Sequence, residues 1–349
     1  MKNFLSLLLL SLLTLNCSKV SKLPESFSPI NKLVFIEDID DKGGLYDGNF
    51  GDIVIFDPVT KQKYIITDDE YFNMNTKWAF SGQSIVFDSK RGYDYDPLVA
   101  LSNSSHLFRI DIKTRNLLQL DLPVYKKKKK DEEVDDICPA LDSSNTLMAF
   151  ASYNEVPGKM DLILYSFTEN SFDTLMRNIE ALDDIHWDGE YIVFTYCPYD
   201  KGVHKELAIR ILNWKTGEIV STIFNDNWIY DIGDLKHGVL LYSGNEMVDN
   251  FKVSMFAYII DKKLNSKILT LDSLWITDPV FARNKTIYFS GGNFTNIKTR
   301  EGFNDIYSYN LITKKVRRLT HDKHTKECLD YYDYPDSLNY LKEIETLIK

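Results

Sequence analysis

A dense apolar run recurs along the chain at KLVFIE (32–37), SIVFDS (84–89), LMAFAS (147–152), YIVFTY (191–196), VLLYSG (239–244) and KTIYFSGG (285–292). After each run comes a polar stretch and then a string in which apolar and polar residues alternate. These strings are GDIVIFD (51–57), HLFRIDI (106–112), DLILYSF (161–167), LAIRILN (207–213), MFAYIID (255–261) and DIYSYN (305–310). Alternation over four to eight positions is the pattern of a half-buried strand, and a short continuous apolar run is that of a strand covered on both faces. Gly, Asp, Asn and Ser clusters between the strings, such as FSGQ (80–83), LDSSN (141–145), WDGE (187–190) and WKTGE (214–218), supply the tight hairpins. A closing string ends several units: KYIIT (63–67), NLLQL (116–120), KILTL (267–271) and VRRLT (316–320).

The order strand, tight turn, apolar strand, long loop, alternating strand, tight turn, closing strand therefore repeats six times. Its period is roughly 45–60 residues, the range of propeller blades rather than solenoid helices. Four antiparallel strands cannot bury both faces alone, so units of this kind stack radially about an axis. A sandwich does not repeat one four-strand unit six times, and a solenoid has shorter rungs. The pattern predicts an all-β, six-bladed β-propeller of four-stranded antiparallel blades over residues 31–335. Unit one starts directly on its apolar strand at Lys32, without an innermost strand before it. Residues near 328–335 look like the opening strand of a seventh unit and are expected to complete blade one, pairing the two ends of the chain. The tail 336–349 reads as a short C-terminal helix, with Asp336 at the N-cap and Leu338, Leu341, Ile344 and Leu347 along one stripe.

The unit resembles the TolB-type, WD40-like propeller repeat. Unit six carries the resemblance best, in Asp278-Pro279, Ile287-Tyr288-Phe289, Asp305-Ile306-Tyr307 and Arg318-Leu319-Thr320; unit four keeps Trp187-Asp188-Gly189 in the turn. Units three and five match poorly, and a full Ser-Pro-Asp-Gly turn is absent. The resemblance covers residues 30–335. It implies the fold, and it implies work through protein contacts in the cell envelope. The separate N-terminal domain of TolB has no counterpart here, so the same partners are not implied.

The N-terminus changes the picture of location. Lys2 precedes an apolar run from about Phe4 to Leu15, too short for the roughly 20 residues that span a bilayer as a helix. A charged start, a short apolar stretch and a polar exit describe a secretory signal over 1–16. Cys17 follows at once, as in a bacterial lipoprotein, where lipid is attached to that cysteine; Asn16 before it departs from the usual small residue. Residues 17–30 are polar and contain Pro, and are read as a tether. The expectation is an exported protein, lipid-anchored to a bacterial membrane and facing the periplasm or the cell surface. Cys138, Cys197 and Cys328 remain, too few and too scattered for a disulfide framework, with no metal-ligand spacing.

Composition supports the β reading: 44% of the 349 residues are hydrophobic and 13% aromatic, with only 16 Gly and 10 Pro. The net charge of −10 disfavours nucleic acid, and the one basic run, at 126–130, abuts the acidic 131–133. No GxSxG nucleophile elbow and no phosphate-cradling loop in a strand-to-helix context occur. His321 and His324 are read as solvated, and no metal or other cofactor is expected.

In such a blade the tight turns share one face, and the second-to-third loops share the other with the blade-to-blade links. Those loops are long here, and loops on a rigid scaffold carry function. The candidate binding residues on that face are Tyr46, Asp47, Phe50, Tyr93, Asp94, Tyr95, Tyr199, Asp200, Phe294 and Arg300. Aromatic residues and Arg anchor protein interfaces, and aromatic platforms also take sugar rings. The expected function is a non-catalytic scaffold, a monomer binding an envelope protein or peptide. The alternative is a carbohydrate-binding or carbohydrate-active protein with its site in the propeller funnel; Asp38, Asp94, Asp96 and His204 are acid or base candidates for it, and no catalytic residue is assigned.

Overall fold

The computed structural model describes residues 20–37, 51–69, 71–90, 105–120, 136–154, 156, 158–197, 199–200, 203–204, 207–224, 229–245, 253–271, 274–292, 304–322, 324–332 and 346. The strands are β1 (Lys32–Glu37), β2 (Asp52–Phe56) and β3 (Lys63–Ile65); β4 (Asn73–Ala79), β5 (Ser84–Ser89), β6 (His106–Asp111) and β7 (Leu117–Gln119); and β8 (Asp136–Leu141), β9 (Leu147–Tyr153), β10 (Lys159–Ser166) and β11 (Ser171–Glu180). They continue as β12 (Asp183–Asp188), β13 (Tyr191–Tyr196), the two-residue β14 (Tyr199–Asp200) and β15 (Val203–His204), β16 (Ala208–Asn213) and β17 (Glu218–Ile223). The last are β18 (Ile229–Lys236), β19 (Val239–Asn245), β20 (Val253–Ile259) and β21 (Leu264–Leu271); then β22 (Trp275–Ala282), β23 (Thr286–Gly292), β24 (Asn304–Asn310), β25 (Lys315–Arg318) and β26 (Lys326–Tyr332).

These strands make six four-stranded antiparallel sheets, the blades of a propeller, and blade one is composite: its order is β26-β1-β2-β3. The closing strand expected near 328–335 is thus β26, paired to β1 from Lys32↔Tyr332 to Glu37↔Lys326. Blades three and five, weak in sequence, follow the same plan as the others. Of the helix expected over 336–349, only Thr346 is described, and it is helical.

Period-two alternation explains the core. In β1, Val34 and Ile36 face blade two, in a cluster with Ile85, Phe87 and Phe108. Leu33 and Phe35 face blade six, with Val280, Ala282 and Ile306. Each blade interface has one such cluster, six in all, so the middle strands are covered on both faces and read as unbroken apolar runs. Burying each large side chain contributes roughly 1.5–3 kcal/mol, which makes these interfaces the main source of stability.

The Asp-Ile and Leu-Thr ends of the repeat hydrogen-bond to each other. In blade six Thr320 Oγ1 donates to Asp305 Oδ1 (2.7 Å) and accepts from Ile306 N (2.9 Å). In blade one Thr67 Oγ1 donates to Asp52 (3.2 Å) and accepts from Ile53 N (2.8 Å). The tight third-to-fourth turns share another device: Asp57, Asp111, Asn213 and Asn310 accept from the backbone N–H groups two and three residues on. Four residues after each of them the chain turns left-handed, at Lys61, Arg115, Gly217 and Lys314.

Ring closure is ionic as well as hydrogen-bonded. The ammonium of Lys326, wholly buried, lies 3.3 Å from Glu37 Oε1 and pairs with Asp322, which Lys63 also reaches at 2.5 Å. Burial works against the Asp322 charge, but the two lysines outweigh it and hold its carboxyl down at about 2. The segment before β1 is docked rather than free from Ser21 onward. Ser21 N donates to Ile65 O (2.9 Å), Leu23 and Phe27 pack into the cluster between blades one and two, and Phe27 meets Tyr64 edge-on at 5.5 Å. Apolar side chains within a polar stretch found a crevice, which shortens the expected tether to the residues before Ser21.

Candidate functional site

Two regions can carry function: the face of the long connections, and the axis. Connections between second and third strands, with the blade-to-blade links, leave from one end of the blades. Four of the six exceed ten residues, after β1, β5, β13 and β23, whereas the tight turns at the opposite end span two to six. Tyr199 and Asp200 form β14, which pairs with Val203 and His204 of β15 in a small hairpin inside the connection of blade four. Tyr46, Asp47, Phe50, Tyr93, Asp94, Tyr95, Phe294 and Arg300 lie outside the described residues, as do Cys17, Asp38 and Asp96. Blade three differs, because its short connection is tied down by Val156 N donating to Asn154 Oδ1 (2.8 Å) and by Lys159 pairing with Glu180 (2.5 Å).

The axis is lined by the innermost strands β4, β8, β12, β18, β22 and β26, and each loses register with its neighbour at a bulge. Superposing the bulges aligns Asn75-Thr76-Lys77-Trp78, Cys138-Pro139-Ala140-Leu141, Asp184-Ile185-His186-Trp187, Ile232-Gly233-Asp234-Leu235, Asp278-Pro279-Val280-Phe281 and Cys328-Leu329-Asp330-Tyr331. The first residue is left-handed in five of the six: Asn75, Cys138, Asp184, Asp278 and Cys328. A left-handed non-glycine residue costs on the order of 1 kcal/mol, so something must hold it there. In blade five Ile232 is not left-handed, and Gly233 after it sits against blade six, where a Cβ would lie 2.0 Å from Pro279 O.

What holds the bulges is a circle of hydrogen bonds from blade to blade. Asp184 Oδ2 accepts from Ile232 N at 2.5 Å, and Asp231 Oδ2 accepts from Asp278 N at 2.5 Å. Asp278 in turn accepts from Cys328 N, and the Cys328 thiol group from Asn75 N. Asn75 Nδ2 bonds Asp88 Oδ1 (2.8 Å) and Cys138 Sγ (3.3 Å), and Asp184 N reaches Cys138 Sγ at 3.4 Å. A second tier runs beside it: Asp234 Oδ2 takes Phe281 N (2.9 Å) and Asp330 Oδ2 takes Trp78 N (2.7 Å). The carboxylates are clamps between sheets.

Lys77 stands among them, its ammonium 3.4 Å from His186 Nε2, which is 3.1 Å from Asp184 Oδ1. Burial disfavours the Lys77 charge, but Asp330, Asp184, Asp234 and Asp278 together outweigh it and raise its pKa. Burial also opposes ionisation of Asp184, yet His186, Asp231 and Lys77 hold its carboxyl below the usual range. Asp231 goes the other way: burial and then the charges of Asp278 and Asp184 push it well up, so it keeps its proton and donates a hydrogen bond to Asp184. Asp278 is pushed up to about 6 by burial and by Asp184, against the pull of Lys77. Asp183 is exposed beside this cluster, and its Oδ1 accepts from the Cys138 thiol at 2.7 Å. The Cys138 and Cys328 thiols are raised well above the ordinary value, by burial first and nearby carboxylates second, so neither is a thiolate nucleophile. Cys138, Cys197 and Cys328 are not joined to one another by disulfides. Among the described residues no group of three or more His, Cys, Asp or Glu side chains is placed to hold a metal ion.

Sequence reasoning missed this ring. Its only signal is a polar or small residue three before Trp, Leu, Phe or Tyr on five of the six innermost strands, with Ile232 in blade five, and the residue type changes from blade to blade.

No family model matches the chain, and no curated protein matches it in sequence. Solved structures do resemble it. TolB from Acinetobacter baumannii superposes with a TM-score of 0.62 at 10% identity, over 87% of this chain and 67% of that one. A putative TolB from Agrobacterium tumefaciens gives 0.56 at 10% identity, over 88% of this chain and 100% of the other. An oligogalacturonate lyase in complex with manganese gives 0.51 at 11% identity, over 83% and 74%. At these identities the likeness establishes a shared propeller fold.

Proposed function

We propose that this protein is an exported, lipid-anchored envelope scaffold that binds a protein or peptide, without catalysis, through its long-connection face. One observation carries the reading: the polar groups at the axis are already committed to joining blades, while four of the six blades send long connections from one face. A rigid ring that presents variable loops on one side is the architecture of a recognition module. The TolB propellers that share its fold support a place in the envelope, and Cys17 after the apolar N-terminal run supports the anchor.

The test is crosslinking in the native cell followed by identification of what co-purifies. One dominant partner, lost when residues 90–105 are trimmed, is the expected result; a partner set unchanged by trimming refutes the assignment of this face. Membrane fractionation of Cys17→Ala checks the anchor, which fails if the variant stays with the membrane like the parent.

A glycan-directed role is the second reading. Its support is the polar cluster where Lys77, His186 and Asp184 meet, in a fold that an oligogalacturonate lyase shares. Glycan arrays discriminate: saturable binding reduced by Lys77→Met would move this reading ahead.

A further inference from the structure

The turn-side face, opposite the long connections, is divided by charge. Over blades five, six, one and two its third-to-fourth turns carry Lys262, Lys314, Lys315, Lys61, Lys113 and Arg115. The acids that oppose them include Asp57 and Asp111, which are occupied in capping their own turns. Over blades three and four the third-to-fourth turns carry Glu169 in the one and Lys215 with Glu218 in the other, and the first-to-second turns of the same face add Asp142, Asp188 and Glu190. In a chain of net charge −10, one half of one face is therefore basic. Two apolar side chains project from that half, Val59 at 80% exposure in blade one and Ile312 at 56% in blade six.

The N-terminal segment reaches the same place. Arg115 Nη2 donates to Ser21 O at 2.6 Å, and residues 20–25 with Lys113 and Arg115 enclose an open groove of about 530 Å³. From there the segment runs inward to Pro29, against Gly82 in a turn of blade two, and Asn31 N donates to Tyr332 O. Only three residues separate Cys17 from docked Ser21. At about 3.3–3.6 Å per residue, even a fully extended link keeps Cys17 within roughly 15 Å of the rim of blades one and two.

We propose that the basic half of the turn-side face is a docking surface for an anionic bilayer, so that the propeller rests on the membrane with its long connections pointing away. The inference rests on the lipid-anchor reading for its distance argument, while the charge and the apolar tips stand independently. Basic residues gain from the negative surface potential of anionic lipids, exposed apolar tips enter the interface, and an anchor combined with a basic patch holds more firmly than either alone. The orientation gives the long-connection face its reach toward partners in the surrounding space.

The experiment is lysine-acetylation footprinting, read by mass spectrometry, of the full chain purified from cells. The chain is compared in detergent, on pure phosphatidylcholine vesicles and on vesicles containing phosphatidylglycerol. On the anionic vesicles, Lys61, Lys113, Lys314 and Lys315 are expected to react at least five-fold more slowly than in detergent. Lys215, on the acidic half of the same face, is expected to change less than two-fold. About 0.5 M salt, and separately the surface variant Ile312→Asp/Lys314→Glu/Lys315→Glu, should abolish the difference. Equal protection on phosphatidylcholine overturns the anionic preference, and protection of Lys215 equal to that of Lys314 overturns the surface. Flotation reads the anchor separately. A chain that floats only with anionic vesicles and shows the footprint refutes the anchor and keeps the docking surface; a chain that floats with phosphatidylcholine and shows no footprint does the reverse. Failure to float with either vesicle refutes both.

Discussion

Blade six carries the repeat signature best and blade three has lost most of it, yet each is a regular four-stranded sheet. The difference lies in how one carboxylate is satisfied. In blade six Asp305 is buried and takes the hydroxyl of Thr320, fifteen residues on, together with the guanidinium of Arg318. In blade three the matching residue is Asp161 at the same place on β10. It takes a backbone donor instead, Asn178 N at 2.9 Å, supplied where β11 bulges and Asn178 turns left-handed; Arg177 stands 3.8 Å away. The same bond between third and fourth strands is made once by a side chain and once by a distortion of the main chain. Only the first leaves a trace in the sequence.

Removing the carboxylate tests the comparison most harshly. Asp305→Ala orphans the Thr320 hydroxyl and strips Arg318 of its partner inside a sheet, and should destabilise the protein by about 3 kcal/mol in urea unfolding. Asp161→Ala acts on a half-buried group whose donors can turn to water, and should cost about 1 kcal/mol. Equal losses would mean that the two blades do not differ in the way described.

Removing the hydroxyl comes next. Thr320→Val leaves both Asp305 and Ile306 N without their partner in a buried site, at a cost of about 2 kcal/mol, and Thr320→Ser should restore most of it. Blade three offers no equivalent substitution on its closing strand, because the donor there, Asn178 N, is main chain; the side-chain donor to Asp161, Asn154 Nδ2, comes from the second-to-third connection.

The same distinction decides what was legible from the sequence. The middle strands stood out because residues such as Leu33, Val34, Phe35 and Ile36 are each buried against one neighbour or the other, which favours apolar side chains on both faces. Composite blade one was legible because Lys32 begins a strand that needs an inner partner. The closing strand of blade three was not, since most of Ser171–Glu180 is exposed or half-buried and carries no strict alternation. The axial ring stayed hidden for a different reason. Its six positions hold Asn, Cys, Asp, Ile, Asp and Cys, which share a place at a bulge and no side-chain chemistry. For the candidate site, loop lengths identified the face, while eight of its ten named residues lie outside the described residues.

The junctions that enter blade three and leave blade six should titrate. Asp88 accepts from Cys138 N (3.2 Å) and is pushed up to about 7, by burial above all, and Asp278 stands at about 6 for the same first reason. A carboxyl whose folded pKa lies above its unfolded 3.8 binds its proton more tightly when folded. Its contribution is therefore complete below the unfolded value and is lost as pH rises through the folded one. Melting temperature should accordingly fall as pH rises from 5 to 8, corresponding to on the order of 1–2 kcal/mol. Asp88→Asn should flatten the upper part of that slope and Asp278→Asn the lower part. Below pH 4 the trend reverses, because Asp322, held at about 2 by Lys326 and Lys63, loses its charge. A stability that rises steadily from pH 5 to 8 would contradict both junctions.

The smallest effect lies in the tight turns. Blade six turns left-handed at Lys314 and blade three at Asn170. Asn tolerates that conformation because its short polar side chain bonds locally, and Lys has no such compensation. Asn170 uses its side chain further, accepting from the Tyr165 hydroxyl at 2.8 Å. Lys314→Asn should therefore stabilise by about 0.5 kcal/mol, whereas Asn170→Lys should cost about 1 kcal/mol, since it loses both the tolerance and the bond. Thermal unfolding of the pair resolves the signs. If both exchanges destabilise equally, left-handed strain does not distinguish these turns, and the ammonium of Lys314, 5.9 Å above the Tyr309 ring, contributes more to blade six than its backbone costs.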